Sequence, residues 1–291
     1  MRPANLTTKI FLDSGDPRET KAALDLLGFL DGQTTNPSLI AKNPTAQERL
    51  KVGELFGREE IDAFYKTVVT DVSALIPAGS VSIEVYADAH TSADEMLSQA
   101  REMNPWIQNA HIKFPTNTQG LEAAEKAVAE GMRVNMTLVF TQAQAAAVHA
   151  ATRGAERGAV YLSPFVGRLD DKGVHGMDLV KNIVTMYHSS PNGEASHVEV
   201  LTASARSLDH FFTAIKVGSD IITAPFGILK EWAEKGMPLP DEQFKYERPD
   251  LAPIAYESLD MNLDWRTFPL DHELLTRGID RFAKDWNSLM R

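Results

Sequence analysis

Eight short runs rich in β-branched and aromatic residues recur along the chain, each followed by a longer stretch whose apolar positions repeat at helical spacing. That alternation narrows the fold more than any other feature of the sequence. The runs are KIFLD from Lys9, GFLDG from Gly28, VSIEVYA from Val81, AHIKFP from Ala110, RVNMTLVF from Arg133, AVYLSPF from Ala159, HVEVLTA from His197 and DIITAPF from Asp220. Strands alternating with helices form βα units and a parallel sheet. Eight such units within about 230 residues fit a closed barrel better than an open, doubly wound sheet. The expected fold is therefore α/β: a single (β/α)8 TIM barrel over residues 1–236, with extra helices and a C-terminal helical extension, 237–291, packing on it as part of the same domain.

Helix punctuation supports the reading. Asp16-Pro17-Arg18-Glu19 supplies an N-cap, a proline at the first helical position and an acid in the first turn, with Leu24 and Leu27 on one face before Gly28. Thr141-Gln142-Ala143-Gln144 opens an alanine-rich helix that stops near Gly154, and Leu208, Phe211, Phe212 and Ile215 repeat at helical spacing before Gly218. The intervals from Ser38 to Ser80 and from Gly167 to His197 are long enough for an extra helix in addition to a barrel helix each. Pro238, Pro240, Pro249 and Pro253 make the stretch from Met237 to Met261 an irregular connection. A last helix opens at Asp271-His272-Glu273, with Ile279, Phe282 and Trp286 on one face for docking to the barrel or to a neighbouring subunit.

Composition removes several function classes. Of 291 residues, Lys and Arg account for 29 and Asp and Glu for 40, a net charge of −11 that opposes a phosphate backbone over most of the surface, so no nucleic-acid partner is expected. There is no cysteine, hence no disulfide, thiolate metal site or cysteine nucleophile. No apolar run approaches about 18 residues and no signal-type segment follows Met1, so no membrane partner is expected and the chain reads as cytoplasmic. Neither GxGxxG nor GxxxxGK follows the first strand, and the eight histidines show no ligand spacing, so no nucleotide cofactor and no metal is indicated. His90, His149, His175 and the others read as surface or satisfied core residues. No GxSxG elbow is present.

In this fold the carboxyl ends of the strands converge on one mouth. Strand by strand they deliver Asp13, then Thr34-Thr35-Asn36, Glu84, Lys113, Asn135 with Thr137, Ser163 with Arg168, and Ser204 with Arg206. Burial disfavours the charged form of an amine, which is how a lysine becomes able to attack a ketone. Lys113 within His111-Ile112-Lys113-Phe114-Pro115 is placed for that chemistry, or for a structural ion pair with Asp13 or Glu84. The two carboxylates either exchange protons or simply neutralise the lysine. Asn36 and Asn135 suit sugar hydroxyls or turn chemistry. Arg168 and Arg206 suit phosphate or surface salt bridges, and Ser207, at a helix start, adds backbone donors.

The motifs Thr34-Thr35-Asn36-Pro37-Ser38-Leu39-Ile40, Ile112-Lys113-Phe114-Pro115, Val134-Asn135-Met136-Thr137-Leu138 and Ser163-Pro164-Phe165-Val166-Gly167-Arg168 together resemble the transaldolase family. The similarity runs in order from Phe11-Leu12-Asp13 to Ser204-Ala205-Arg206 and Ile222-Thr223-Ala224-Pro225-Phe226, and Gly278 to Trp286 resembles the family's C-terminal helix. The resemblance implies a cofactor-free transferase, with phosphorylated sugars as partners and a homo-oligomer, a dimer, as the assembly. It would move a dihydroxyacetone unit from sedoheptulose 7-phosphate or fructose 6-phosphate to an aldose phosphate, in the pentose phosphate pathway. Lys113 would form the Schiff base, Asp13 would handle the C4 hydroxyl proton, and Glu84, through a water near Thr137, would serve imine formation and hydrolysis. Thr35, Asn36, Asn135, Ser163 and Phe165 would bind the sugar, and Arg168, Ser204 and Arg206 the phosphate.

The related fructose 6-phosphate aldolases share the fold and lysine but release dihydroxyacetone. There a Gln usually replaces the Glu and a Tyr stands at the place of Phe165, so Glu84 and Phe165 favour transfer; the lyase is the alternative. Two features depart from the family pattern. Ala205 stands where a bulkier Phe or Ile is expected, and the loop from Gly167 to His175 resembles the shorter transaldolases. A sugar-phosphate-binding protein without turnover is a third reading, since folds host unrelated functions, and the intact Asp13, Glu84 and Lys113 argue against it.

Overall fold

The computed structural model describes residues 2–188 and 196–291. Strands β1 (Lys9–Asp13), β2 (Gly32–Thr34), β3 (Ser80–Glu84), β4 (Ala110–Pro115), β5 (Val134–Val139), β6 (Val160–Pro164), β7 (Val198–Thr202) and β8 (Ile221–Ala224) pair in parallel in chain order, and β8 returns to β1. The barrel closes. Helices α1 (Pro17–Leu27), α2 (Pro37–Ala41), α3 (Pro44–Lys51), α4 (Arg58–Leu75), α5 (Ala93–Met103), α6 (Thr118–Ala129), α7 (Gln142–Ala151), α8 (Val166–Asp170), α9 (Gly176–His188), α10 (Leu208–Lys216) and α11 (Phe226–Glu234) follow the strands, and α12 (Glu273–Asn287) comes last. Among the described residues no helix is long and apolar enough to cross a membrane.

The caps read from sequence form as expected. Asp16 accepts from the Arg18 N–H at the start of α1, Gly28 closes that helix at φ 76°, and Thr141 and Gln144 form a reciprocal capping box on α7. The second strand differs from its expected position. GFLDG is the left-handed cap of α1 and a lead-in that buries Leu30, and pairing begins only at Gly32. VSIEVYA stops pairing at Glu84. The interval from Ser38 to Ser80 holds, after the end of α2, the expected extra helix, α3, and barrel helix, α4.

Alternation along the strands fills the barrel in layers. On β1, Lys9 pairs with Glu199 at 2.7 Å, Phe11 meets the Tyr161 ring edge-on at 6.0 Å, and Asp13 accepts from the Thr34 hydroxyl at 2.7 Å. His111 stacks on Tyr161 at 4.0 Å, with Ser80 at 2.7 Å and the Gly158 carbonyl at 3.0 Å occupying its two nitrogens. Burial pushes that imidazole down to about 3. Gly32 is required by Phe11: a Cβ there would lie 2.5 Å from the ring and from the Ser80 carbonyl.

The connection after α11 has no regular structure beyond a 3-10 turn at Trp265–Thr267, yet it is tied down along its length. Lys216 on α10 reaches three of its carbonyls, Ala252 exchanges backbone hydrogen bonds with Gly173 and His175, and Gln142 on α7 bonds the Glu257 backbone twice. The chain then enters α12, which lies on α2 with Phe282 and Trp286 buried beneath it.

Candidate active site

Lys113 projects from the middle of β4 into the mouth and is 3% exposed on its side chain. Its Nζ donates to the Thr35 carbonyl at 2.9 Å and lies 3.0 Å from Glu84 Oε2, an ion contact without the alignment of a hydrogen bond. Burial pushes the Glu84 carboxyl up, a shift that Lys113 and the more distant Arg168 partly offset. The same holds for Asp13: desolvation raises it, against the pull of Lys113 and the Thr34 hydrogen bond. Two carboxyls raised by burial and facing one amine form a set in which a proton can move at low cost.

Tyr65 of α4 aligns this set from behind. Its hydroxyl accepts from the Glu84 N–H at 2.8 Å and donates to Thr35 Oγ1 at 2.6 Å, and Thr35 in turn donates to the Ser82 carbonyl at 2.7 Å. The Thr35 side chain therefore turns away from the mouth. The expectation that it binds sugar is corrected: its carbonyl holds Lys113, and its neighbour Thr34 lines the cavity, because successive residues on a strand face opposite ways.

The mouth opens into a cavity of about 530 Å³. Of the residues singled out in the sequence, Asp13, Asn36, Lys113, Ser163, Phe165, Arg168, Ser204 and Arg206 line it. Glu84, Asn135 and Thr137 stand in the wall behind. Asn135 donates to Ser82 Oγ at 3.0 Å and accepts from Ser163 at 2.7 Å, whereas the Thr137 hydroxyl is buried with no partner among the described residues. Asn36 caps α2 through Oδ1 and also lines the cavity. Glu84 also borders a second cavity of about 360 Å³ beside Tyr86, Trp106 and Trp286.

Cations gather at the outer rim. Arg168, three quarters of the way round the barrel on α8, lies over the rings of Phe165 and Phe282 at 5.1 and 5.3 Å. Desolvation and the neighbouring Arg281 push it down to about 10, and it stays charged at neutral pH. Arg206 pairs with Asp171 at 3.0 Å, both exposed. Ser204 holds φ at 60°, a left-handed turn unusual for a side-chain-bearing residue, and this bend directs Arg206 towards the rim. Lys42, Arg281 and Phe282 complete the rim; none was assigned to the site from the sequence, where Phe282 was read only as part of the docking face of the last helix. Lys42 closes the short helix that Asn36 caps; Arg281 and Phe282 arrive on α12, and nothing in their local sequence points to the rim.

Among the described residues no group of three or more His, Asp or Glu side chains converges as a metal site would. The reading of the histidines as surface or satisfied core residues is corrected at His149. Its Nδ1 is buried without a partner among the described residues, because the ring is enclosed by His197 at 4.6 Å and Tyr187 at 5.7 Å. Burial keeps it neutral by pushing it below the usual histidine range.

Comparison with known proteins extends the likeness over almost the whole chain. A probable transaldolase of Dehalococcoides mccartyi is 38% identical over 283 residues, covering 97% of this chain and 100% of that protein. One from Caldicellulosiruptor saccharolyticus is 32% identical over 97% of this chain and 98% of its own length, and one from Thermoplasma volcanium is 35% identical over 76% and 86%. The sequence model of the Transaldolase/Fructose-6-phosphate aldolase family matches residues 10–291. With a barrel that sets a buried lysine between two carboxyls beneath a cationic rim, the chain belongs to the transaldolase/fructose-6-phosphate aldolase family of enzymes.

Proposed function

We propose that the protein transfers a dihydroxyacetone unit from a ketose phosphate, fructose 6-phosphate or sedoheptulose 7-phosphate, to an aldose phosphate through an imine on Lys113, a reaction of the pentose phosphate pathway. The observation that carries the reading is Lys113 itself, buried at the cavity floor 3.0 Å from Glu84. Passing its proton to Glu84 leaves a free amine that attacks the C2 carbonyl. Glu84 then protonates the departing hydroxyl as water leaves and the iminium forms. Asp13 removes the C4 hydroxyl proton. The C3–C4 bond breaks, its electron pair moves into the iminium to give an enamine, and the aldose phosphate departs. The enamine carbon then attacks the acceptor aldehyde, Asp13 returns its proton to the new alkoxide, and water hydrolyses the product imine with Glu84 again moving the proton.

The buried Thr137 hydroxyl, without a partner among the described residues, suits a water shared with Glu84. Asn36 and Ser163 hold the hydroxyls of the three-carbon fragment, with Asn135 orienting Ser163. Arg168, Ser204 and Arg206 take the phosphate by charge-assisted hydrogen bonds. Residues 1–236 thus make the catalytic barrel and 237–291 an extension of the same domain that closes the rim.

The test is release of glyceraldehyde 3-phosphate from fructose 6-phosphate, with and without erythrose 4-phosphate. Release that needs the acceptor supports transfer; release that ignores it establishes the lyase instead. Borohydride added during turnover should leave a reduced adduct on Lys113, and its absence would sink both.

A further inference from the structure

Behind the wall that carries Arg206 lies a buried cluster the reaction above does not use. His210, 2% exposed, stands in the first turn of α10. The Arg206 backbone N–H points at its Nδ1 from 3.2 Å, while its Nε2 lies 2.8 Å from Asp170 Oδ2 and 2.6 Å from the Tyr246 hydroxyl. A neutral imidazole has one donor and one acceptor nitrogen. With Nδ1 accepting from Arg206, the hydrogen sits on Nε2 and is donated to Asp170. Asp170, at the end of α8, is fixed in turn by the Gly176 N–H at 2.9 Å and the Tyr246 hydroxyl at 3.1 Å. Tyr246 comes from the connection after α11, and Arg248 beside it reaches the same hydroxyl at 3.3 Å.

The Arg206 side chain cannot position itself. Its one ion pair among the described residues, with Asp171, is more than half exposed on both sides, and such pairs contribute roughly 0–1 kcal/mol. Its aim depends on its backbone, which leaves the left-handed Ser204 two residues earlier and is gripped by His210. We propose that His210, Asp170 and Tyr246 are positioning residues that hold the Arg206 backbone so that its guanidinium meets the phosphate of the substrate, and that the connection after α11 contributes Tyr246 to this task. The proposal rests on reading Arg206 as a phosphate ligand.

Steady-state kinetics on the full chain separate the two. Tyr246→Phe and His210→Ala should raise KM for fructose 6-phosphate about fivefold, the typical worth of one hydrogen bond, with kcat unchanged. Borohydride trapping of unphosphorylated dihydroxyacetone on Lys113 should be unaffected in both. His210→Asn, whose Oδ1 replaces Nδ1 as acceptor for the Arg206 N–H, should restore KM towards the native value. Tyr246→Phe removes a single half-buried hydroxyl, so it carries the test if His210→Ala fails to fold. Arg206→Ala run in parallel should raise KM by more than either variant. If it does and Tyr246→Phe changes nothing, the positioning role is overturned while the phosphate reading stands. If Arg206→Ala leaves KM unchanged, the phosphate reading falls and the positioning role with it. A fall in kcat or in trapping equal to the loss in KM would mean a merely structural cluster, which also overturns the proposal.

Discussion

Gly278→Ala tests how the last helix completes the rim. An alanine Cβ at this position on α12 would lie 2.7 Å from Leu138 Cδ2 and 2.8 Å from Arg168 Nη1. Two effects compete. Replacing glycine by alanine in a helix interior is worth about 1 kcal/mol in favour of folding, whereas forcing a methyl into a packed contact costs about 1–3 kcal/mol. Leu138 is fully buried and held at φ 61°, so it has little room to yield. The guanidinium of Arg168, at the end of a flexible side chain, gives way first. The expected net change is therefore a destabilisation of up to about 2 kcal/mol, a fall in Tm of no more than a few degrees, together with displacement of Arg168. Losing one charge-assisted contact of about 1.5 kcal/mol corresponds to roughly a tenfold rise in KM for a phosphorylated ketose. The assay pairs thermal unfolding followed by circular dichroism with KM for fructose 6-phosphate. A raised Tm with unchanged KM would refute the reasoning, since helix propensity alone would then account for the variant.

Three further outcomes follow from the same geometry. Asp13→Asn should raise Tm at neutral pH while abolishing turnover: its carboxyl is raised in the folded state, so the ionised form opposes folding at pH 7 and the opposition fades as pH falls through the raised value; a lowered Tm would show that attraction to Lys113 outweighs desolvation. His111 has the opposite sign. Its folded value of about 3 lies below the ordinary 6.5, so its neutral burial favours the folded state fully above 6.5 and that contribution is lost, at about 1.4 kcal/mol per pH unit, as pH falls towards 3; pH-dependent unfolding of His111→Gln should lack that slope, and an identical slope would count against it. Phe165→Tyr puts a hydroxyl into the cavity beside Arg168, where it can position a water, and should raise acceptor-independent cleavage relative to transfer; an unchanged ratio of the two rates would remove Phe165 from the determinants of transfer.

A strand that the sequence located well is one whose inward and outward residues are both apolar or β-branched, such as Ile221 to Ala224. β2 escaped because its three residues, Gly32, Gln33 and Thr34, carry no apolar side chain: Phe11 fills the barrel at that level, and the apolar Phe29 and Leu30 lie in the lead-in. Lys113, Glu84 and Asp13 stood out because a charge within a buried strand is expensive unless it is paired or used. Thr35 was given to the sugar through the resemblance, and the misplaced β2 supplied no parity that could have shown its side chain facing away from the mouth. Arg281 and Phe282 reach the rim from more than a hundred residues past Arg168, a proximity that only tertiary packing creates. His149 looked ordinary because an unpartnered nitrogen leaves no trace in local sequence.

The seat of α12 on α2 also has a temporal side. Ser38 of α2 hydrogen-bonds Asp285, and the Phe56 backbone pairs with Leu289 and Arg291, so the last turns of the chain are anchored to elements made soon after the first strand. During synthesis the eight strands can close before α12 exists, but the rim over Arg168 then lacks Phe282 and Arg281. A chain whose eight strands have emerged and closed before α12 is made thus holds a barrel that is topologically complete but unfinished at its rim, with the face of α2 that α12 will cover still open.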